Sequence, residues 1–362
     1  MKRIKQLLAI ASLLAIITGC GEQQQTTSQV APQQTFKWKL VTSWPKNFPG
    51  LGVGPEKFAA HVNKMSNGRL TVDVFGAGQL VPGFEVFDAV SEGTAEMGHS
   101  GAYYWKGKMP AASFFAAVPF GMNALETNAW LHYGGGLELW QELYKPFGIM
   151  PLPGGNSGAQ FAGWFNKEIN SVEDLQGLKM RIGGIGGEVM SRAGAVPVNM
   201  PGGEIFSSLQ SGALDASEWV GPYNDLAFGF YKAAKYYYST AWQEPTATLE
   251  FLINEKAFNE LPSDLQEIVK VAARAVHDDM LSEYTARNSS SLTALIEQHG
   301  VEVKTFPSEV INTLKQTTAT VINDMVSEDV SVAKVWASYN DFYQQIKRYH
   351  QISEQAYLQN RQ

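Results

Sequence analysis

The chain has 362 residues, of which 44% are hydrophobic and 17% charged, and its formal net charge is −7. This length is enough for two ordinary domains, and the low charged fraction excludes a chain without a folded core. The acidic balance and the lack of a basic stripe argue against nucleic-acid binding, so any anion site has to be local.

The first 19 residues have the pattern of a secretory signal. Lys2, Arg3 and Lys5 precede an apolar run at 7–17 that is too short to span a membrane. The run Ile-Thr-Gly-Cys ending at Cys20 resembles the bacterial lipobox, in which the cysteine is acylated and becomes the first mature residue. The alternative is an ordinary signal peptide with an incidental cysteine. Cys20 is the only cysteine of the chain, which favours lipidation and predicts a body without disulfides.

Residues 20–35 predict a flexible tether between that cysteine and the folded body. They are rich in Gln, Thr and Ser and have almost no apolar anchor. Removal of residues 1–19 also removes three positive charges and no negative ones, leaving 25 basic against 35 acidic residues. The mature chain therefore carries a charge near −10.

Strand and helix patterns alternate along the first half of the body. Alternating and apolar runs predict strands at 36–44, 69–75, 96–99 and 159–165, with an extended crossing segment at 148–156 before the last of them. Helical patterns cover 84–92 and 125–147, the latter broken at 134–136, and another helix starts with Pro55 at its first position. Such alternation predicts a mostly parallel α/β sheet, with ligands beyond the carboxyl ends of its strands.

The second half continues in the same way, without a Gly/Ser-rich linker between domains. The patterns predict a helical turn at 170–177, strands at 178–182, 214–219, 249–254 and 301–305, and helices at 188–193, 204–211, 222–238, 262–285 and 289–299, with 236–238 entering a strand. Repeated crossings in place of one linker predict two lobes that are hinged by paired segments.

Arg181 is the central candidate for a binding residue. It lies in the middle of the predicted strand 178–182, where period-2 alternation places it on the face opposite to Met180 and Ile182. A guanidinium there is costly unless it meets an anion, ideally a carboxylate held by two hydrogen bonds. Glu218 ends a later strand beside Trp219, which suits a second charged group at the same cleft.

Familiar enzyme signatures are missing. The glycines at 184 and 186 do not complete G-x-G-x-x-G because residue 189 is valine, and the six histidines lack metal-ligand spacing. No cysteine nucleophile, G-x-S-x-G elbow or P-loop is present. Acid/base sites leave no short signature, so an exported lyase or hydrolase of small carboxylates on a bilobal α/β fold stays as the alternative function.

Four long segments carry a resemblance to a known family. They are MGHSGAYYWKGKMPAASFFAAVPFG (97–121), GWFNKEI (163–169), PVNMPGGEIF (197–206) and SGALDASEWVGPYNDLAFGFYKAAKYYY (211–238). Together they resemble the DctP-type solute-binding proteins of tripartite ATP-independent periplasmic (TRAP) transporters, in the branch for 2-oxo acids and related monocarboxylates.

The resemblance implies an α/β, bilobal periplasmic-binding-protein-like fold, with crossing strands and a long helix as the hinge. Its implied division is a first lobe at 36–155 plus 245–285, a second lobe at 156–244 plus 286–330, and a C-terminal helical extension at 331–362.

The implied function is capture of a small 2-oxo or 2-hydroxy acid outside the cytoplasm and its delivery to TRAP membrane permease subunits; signalling to a sensor kinase is an open variant. In similar proteins a metal ion, sodium or calcium, bridges the bound acid to the protein. A glutamate facing an anion would repel it without such a cation. Carried over by position, the metal ligands are Gln160, Glu218, the Trp219 backbone and Glu244.

The implied acid-binding set is Arg181 with Gln160, Tyr103, Asn156 and Trp219. Tyr103 falls at the carboxyl end of a predicted strand, as do Trp44 and Tyr104. Asp215 and Arg192 are expected to be structural.

The C-terminal segment has an unusually aromatic apolar stripe at helical spacing. Its members are Val332, Val335, Trp336, Tyr339, Phe342, Tyr343, Ile346, Tyr349 and Ile352. A terminal helix needs a surface to cover. One expectation packs it onto its own subunit. The other sends it to a second copy in a homodimer, as in helix-swapped dimers of the branch that the chain resembles.

Overall fold

Two mixed β-sheets organise residues 34–361, which the computed structural model describes. The predicted signal segment 1–19, Cys20 and the tether up to residue 33 lie outside the described residues. The strands are β1 (Phe36–Thr42), β2 (Leu70–Phe75), β3 (Met97–Ser100), β4 (Ile149–Asn156), β5 (Gly163–Phe165), β6 (Lys179–Arg181), β7 (Val196–Val198), β8 (Ala216–Ser217), β9 (Tyr236–Tyr238), β10 (Thr248–Asn254) and β11 (Val303–Lys304).

Helices pack around both sheets. They are α1 (Val53–Met65), α2 (Val86–Ser91), α3 (Ser113–Ala116), α4 (Ala124–Tyr133), α5 (Gly136–Tyr144), α6 (Gly184–Arg192), α7 (Ile205–Ser211), α8 (Pro222–Phe228), α9 (Glu255–Asn259), α10 (Ser263–His299), α11 (Ser308–Glu328), α12 (Val330–Ile352) and α13 (Glu354–Asn360). None of the helices in this described part of the chain is long and apolar enough to cross a membrane.

The first lobe is built on a five-stranded sheet with the order β2-β1-β3-β10-β4. Strand β1 is parallel to β2 and β3, whereas β10 is antiparallel to β3 and β4. The prediction of a mostly parallel sheet is therefore wrong. The reason is topological, because β10 reaches this sheet only after the chain has passed through the second lobe.

The second lobe is built on a six-stranded sheet with the order β11-β9-β5-β8-β6-β7. Strand β6, which ends at Arg181, is parallel to both β7 and β8, and β5 is antiparallel to β8 and β9. The carboxyl ends of β6 and β8 therefore meet at one edge, which brings Arg181 and Glu218 together. The predicted two-lobed α/β architecture is confirmed.

A single helix of 37 residues, α10, takes the place of the two helices predicted at 262–285 and 289–299. It packs against β4 of the first lobe and against α8 of the second. The run of Asn and Ser at 288–291 does not break it, because Asn288 accepts a hydrogen bond from the Tyr223 backbone N–H (2.9 Å) and Ser291 is buried. Tertiary contacts thus outweigh the weak local helix preference of these residues.

Three further predictions differ from the structure. The helix expected at 222–238 ends at Phe228, because Gly229 adopts φ +74° and stops it. The strand expected at 159–165 covers only Gly163–Phe165, so Gln160 lies in the preceding loop. Helix α1 begins two residues before Pro55, which occupies its third position and not its first.

The C-terminal helix α12 packs partly on its own subunit. Val332, Val335 and Tyr339 are buried, and the Met122 backbone N–H donates to the Tyr339 hydroxyl (2.7 Å). Apolar side chains further along remain exposed, namely those of Tyr349, Ile352, Tyr357 and Leu358. Phe342, Tyr343 and Ile346 are partly buried against the same core, so most of α12 covers its own lobe, and these four exposed apolar side chains lie in its last turn and in α13.

Candidate functional site

Arg181 is almost fully buried, with its side chain 2% exposed. Its Nη1 forms an ion pair with Glu218 and also donates to the Glu218 carbonyl oxygen (3.2 Å). Nη2 donates to the Tyr104 hydroxyl (3.3 Å), and Nε to the Met200 carbonyl (3.4 Å). The guanidinium also lies 5.0 Å from the centre of the Trp219 ring. The predicted alternation is confirmed, since Met180 and Ile182 pack in a different hydrophobic cluster from Trp219.

The charge of Arg181 depends on its acidic neighbours. Burial alone lowers the pKa of Arg181. Glu218, and after it the surrounding tyrosines and Glu244, raise this pKa, and together they outweigh burial. The net pKa lies above the ordinary arginine value, so this buried side chain stays cationic.

Glu218 and Glu244 place more acid at the site than Arg181 can neutralise. Burial raises the pKa of Glu218, although Arg181 lowers it. Burial, followed by the charge of Glu218, holds the pKa of Glu244 well above its ordinary range. Glu244 Oε2 is buried and has no hydrogen-bond partner. Two carboxylates facing one guanidinium leave room for a further positive charge.

Gln160 contributes a second unpartnered oxygen. Its backbone N–H donates to the Glu244 carbonyl (3.1 Å), which ties the two residues together. Its side-chain Nε2 donates to Ser157 Oγ (3.0 Å), while its Oε1 is buried without a partner. The amide is thus held by its nitrogen, and its acceptor is left available.

These donors fit a hard cation. Amide, carboxylate and backbone oxygens are the ligands that sodium and calcium prefer, and two such oxygens are buried and unsatisfied here. Within residues 34–361, no group of three or more His, Cys, Asp or Glu side chains could hold a metal ion. Glu218 and Glu244 would thus have to be joined by other oxygen ligands, and the free Gln160 Oε1 is one candidate.

Two tyrosines from the first lobe cover the site. Tyr103 and Tyr104 lie on a 3₁₀ turn after β3, with their ring centres 4.7 Å apart. Tyr103 packs over Gly184, where an added Cβ would lie 3.2 Å from the Tyr103 Cβ and where φ is +61°. Glycine therefore permits the close approach. Burial raises the pKa of Tyr103 well above its ordinary value, so its hydroxyl stays protonated.

Asn156 and Trp219, both predicted as acid-binding residues, differ in their hydrogen bonding. Asn156 Oδ1 accepts from the Gly158 N–H (2.8 Å) and from Thr246 Oγ1 (3.0 Å), and its Nδ2 donates to Thr248 (3.3 Å). It joins the two crossing segments, and its contact with an acid stays a prediction. The indole Nε1 of Trp219 is buried and unpartnered.

A cavity of about 280 Å³ opens beside Tyr104 and is lined by both lobes. Its lining residues are Tyr103, Tyr104, Lys106, Gly107, Ile182, Gly183, Gly184, Gly187, Glu188, Ser191, Pro197 and Asn199. Larger depressions of about 950 and 420 Å³ lie elsewhere on the first lobe and contain none of the predicted site residues.

Sequence patterns favour Tyr103 over Tyr104 as a ligand contact and do not identify Lys106 and Glu188. In the structure it is Tyr104 that contacts Arg181 directly. Lys106 and Glu188 form an ion pair (3.3 Å) across the cavity, and no local pattern links residues that lie 82 positions apart. Asp215 and Arg192 have structural partners, as predicted: Asp215 accepts from the Lys179 N–H (2.9 Å), and Arg192 pairs with Asp324.

Two α/β lobes that close over a buried guanidinium and unsatisfied oxygens define a ligand-binding protein of the periplasmic type. Over residues 40–329 the chain matches the family described as bacterial extracellular solute-binding protein, family 7, also called DctP. The chain belongs to this family and is the solute-binding component of a TRAP transporter.

Similar proteins share nearly the whole length. A Nostoc sp. protein described as a monocarboxylate 2-oxoacid-binding periplasmic protein is 42% identical, over 99% of this chain and 98% of its own. A TRAP solute-binding protein from Pseudoalteromonas atlantica with bound sodium and pyruvate is 43% identical, with a TM-score of 0.88 over 90% of this chain and 99% of its own.

Two further solved structures have the same TM-score of 0.88 over 90% of this chain. The protein from Colwellia psychrerythraea, with bound calcium and pyruvate, is 44% identical over 100% of its own length. That from Bordetella bronchiseptica, described as a mixed-occupancy dimer with copurified calcium and picolinate, is 37% identical over 97%. The family and these relatives are solute-binding proteins, so the lyase or hydrolase alternative is set aside.

Proposed function

We propose that the protein captures a small 2-oxo or 2-hydroxy monocarboxylate together with a sodium or calcium ion and presents both to its permease. The observation that carries this proposal is the pair of buried, unpartnered oxygens, Gln160 Oε1 and Glu244 Oε2, beside a buried guanidinium. Buried polar atoms are nearly always satisfied, so a site that leaves two open is suited to a ligand. Relatives with bound pyruvate and sodium or calcium support the choice of ligand.

In this proposal the ion is held by Gln160, Glu218, the Trp219 carbonyl and Glu244. The cation supplies the positive charge that the two glutamates lack and attracts the oxygens of the acid. The acid is bound by Arg181, which offers several N–H donors in one plane.

Four other side chains complete the acid site. Gln160, Tyr103, Asn156 and Trp219 are proposed to surround the acid. Because Tyr103 comes from the first lobe and Arg181 from the second, an acid bound by both stabilises the closed arrangement of the lobes.

A thermal-shift screen of small acids tests this function. Pyruvate, lactate and longer monocarboxylates would each be added with sodium, with calcium and with neither. Binding at 100 times the dissociation constant stabilises the folded state by about 2.7 kcal/mol, a readily measured shift. We expect 2-oxo monocarboxylates with an ion to give the largest shifts. A chain that is stabilised equally by acids and by their amides would contradict the proposal.

The division of the chain is part of the same proposal: lobes at 36–155 plus 245–285 and at 156–244 plus 286–330, with an extension at 331–362. The distribution of strands between the two sheets supports it. Residues 1–19 are proposed as a signal peptide, and Cys20 as a lipidated anchor followed by the tether 20–35. Intact-mass measurement of the membrane-bound protein tests the anchor, because acyl groups on Cys20 add to the mass. As a second test, Cys20→Ala should release the protein in soluble form.

We also propose that the exposed end of α12 and α13 forms a homodimer contact. Tyr349, Ile352 and Tyr357 are 59%, 81% and 61% exposed, which is unusual for large apolar side chains. The Bordetella bronchiseptica structure is described as a dimer. Light scattering of the chain without residues 1–20 should give a dimer mass, and truncation after residue 348 should give a monomer. A monomer mass for both would end this part of the proposal.

A further inference from the structure

The cavity beside Tyr104 ends at an ion pair that joins the two lobes. Lys106 lies just after the 3₁₀ turn that carries Tyr103 and Tyr104, and Glu188 lies on α6 of the second lobe. Lys106 Nζ and Glu188 Oε2 are 3.3 Å apart, and the side chains are 31% and 37% exposed. These two are the only charged side chains among the residues that line this cavity, all of which belong to the described part of the chain.

Both oxygens of Glu188 are engaged. Oε2 pairs with Lys106, and Oε1 lies 3.4 Å from Arg192 Nε on the same helix. Arg192 is paired in turn with Asp324 of α11. Two cations and two anions therefore form a balanced network, and its one member that both faces the cavity and carries negative charge is Glu188.

We propose that Glu188 is a specificity-determining residue that excludes acids with a second carboxylate. This inference rests on the proposed function, since it takes one carboxylate of the ligand to be bound at Arg181. Tyr104 contacts Arg181 through its hydroxyl and also lines the cavity. Arg181 itself does not line the cavity, so we place the far end of a bound acid there through Tyr104, which adjoins both Arg181 and the cavity.

A neutral tail and a charged tail meet different conditions in this cavity. A methyl or alkyl tail neither needs nor disturbs the ion pair. A distal carboxylate approaches Glu188, which repels it, and finds Lys106 already neutralised. In effect Glu188 occupies the place that the second carboxylate of a dicarboxylic acid would take, and the protein therefore selects monocarboxylates.

The ion pair of Lys106 and Glu188 also joins the two lobes. It could therefore act only by holding the lobes closed, as a latch, and this effect has to be distinguished from selectivity between acids. A latch stabilises the closed form whatever acid is inside, so breaking it weakens all acids by the same factor. Selectivity instead changes the ratio between two acids. The ratio of the dissociation constants of 2-oxoglutarate and pyruvate is thus the informative quantity.

The experiment is isothermal calorimetry of both acids, at fixed sodium and calcium concentrations, with the wild type and three variants. Glu188→Gln should lower the 2-oxoglutarate to pyruvate ratio by about tenfold or more, the scale of one unit-charge interaction at a partly exposed position. In Glu188→Gln, Lys106 is the cation that receives the second carboxylate. Adding Lys106→Gln to that variant should therefore return the ratio most of the way to its wild-type value.

Asp324→Asn is the matched control. It removes one negative charge from the same network, but Asp324 does not line the cavity, so its ratio should stay within about a factor of two of the wild-type ratio, since it leaves the charge nearest the ligand in place. An unchanged ratio in Glu188→Gln, with both affinities moved together, would show a latch only and overturn the inference. A wild type that binds neither acid with either ion would instead refute the proposed function, and the inference with it.

Discussion

Two buried acidic residues in this molecule have opposite surroundings. Asp225 on α8 accepts hydrogen bonds from Trp164 Nε1 (3.0 Å), the Tyr237 hydroxyl (2.8 Å) and the Gly221 N–H (3.3 Å). Glu244 is similarly buried, yet its Oε2 has no partner and its nearest charged groups include another glutamate.

The difference separates a carboxylate that maintains the fold from one that is kept for a ligand. The surroundings of Asp225 are complete in the folded chain, so its interactions contribute to stability. Those of Glu244 are incomplete, and the folded chain bears the cost of an unsatisfied acid. Such local inconsistencies are expected at functional sites. Substitutions at Asp225 should therefore change stability, whereas substitutions around Glu244 should change binding.

The largest expected effect is on stability. Asp225→Ala leaves the Trp164 and Tyr237 donors buried without an acceptor, which should lower the free energy of unfolding by about 3 kcal/mol. Urea unfolding measures this loss. Asp73→Ala, at an exposed ion pair with Lys37, is the control and should cost less than about 1 kcal/mol. Equal losses for the two variants would contradict the structural role of Asp225.

The pH dependence of stability sharpens the same point. Burial, opposed by the hydrogen bonds from Tyr237 and Trp164, raises the pKa of Asp225 from 3.8 to about 7. Between these values the folded state keeps a proton that the unfolded state has lost. The contribution is therefore complete below about pH 4 and decreases as the pH rises to about 7, by at most about 1.4 kcal/mol per pH unit.

Asp225→Asn removes this titration. The difference in unfolding free energy between the wild type and this variant should shift against the wild type as the pH rises from 4 to 7. Other buried titrating groups, such as His99 and Glu250, are present in both proteins and cancel in the difference. A difference that stays constant with pH would mean that Asp225 is ionised throughout.

A smaller change is expected for the binding arginine. Arg181→Lys keeps the charge that neutralises Glu218 but loses the planar set of donors, so we expect binding of the acid to weaken by about ten- to a hundredfold, or 1.4 to 2.8 kcal/mol. Calorimetry with pyruvate measures this. Arg69→Lys, at a partly exposed pair with Asp264 outside the site, should leave the affinity unchanged. Near-wild-type affinity in Arg181→Lys would exclude bidentate hydrogen bonding of the guanidinium to the carboxylate of the acid.

Much of the fold could be predicted because its main strands are apolar and its helices are periodic. The strands at 149–156 and 248–254 have the extents that the sequence indicated within one residue. The continuity of α10 could not be predicted, because it depends on the contact of Asn288 with a backbone N–H more than 60 residues away. The antiparallel entry of β10 likewise depends on the route of the chain between lobes.

Part of the candidate site could be predicted, either from the alternation of residues along a strand or from the resemblance to a family. Alternation placed Arg181 on its face, and the pairing of β6 with β8 brings Glu218 to it. Gln160 was expected on a strand, but it lies in a loop that is held by Ser157 and Glu244. Contacts between lobes, such as that of Lys106 with Glu188, arise only when the two sheets face each other, and local sequence does not encode them.

The central claim is that the unsatisfied oxygens around Glu244 receive a cation that the acid needs. Calorimetry of pyruvate binding in metal-free, sodium-free buffer tests it most directly, with Glu244→Gln measured alongside. We predict that removing the ions weakens binding by about tenfold or more, that sodium or calcium restores it, and that neither restores it in Glu244→Gln. Unchanged pyruvate affinity in the ion-free buffer would contradict this account.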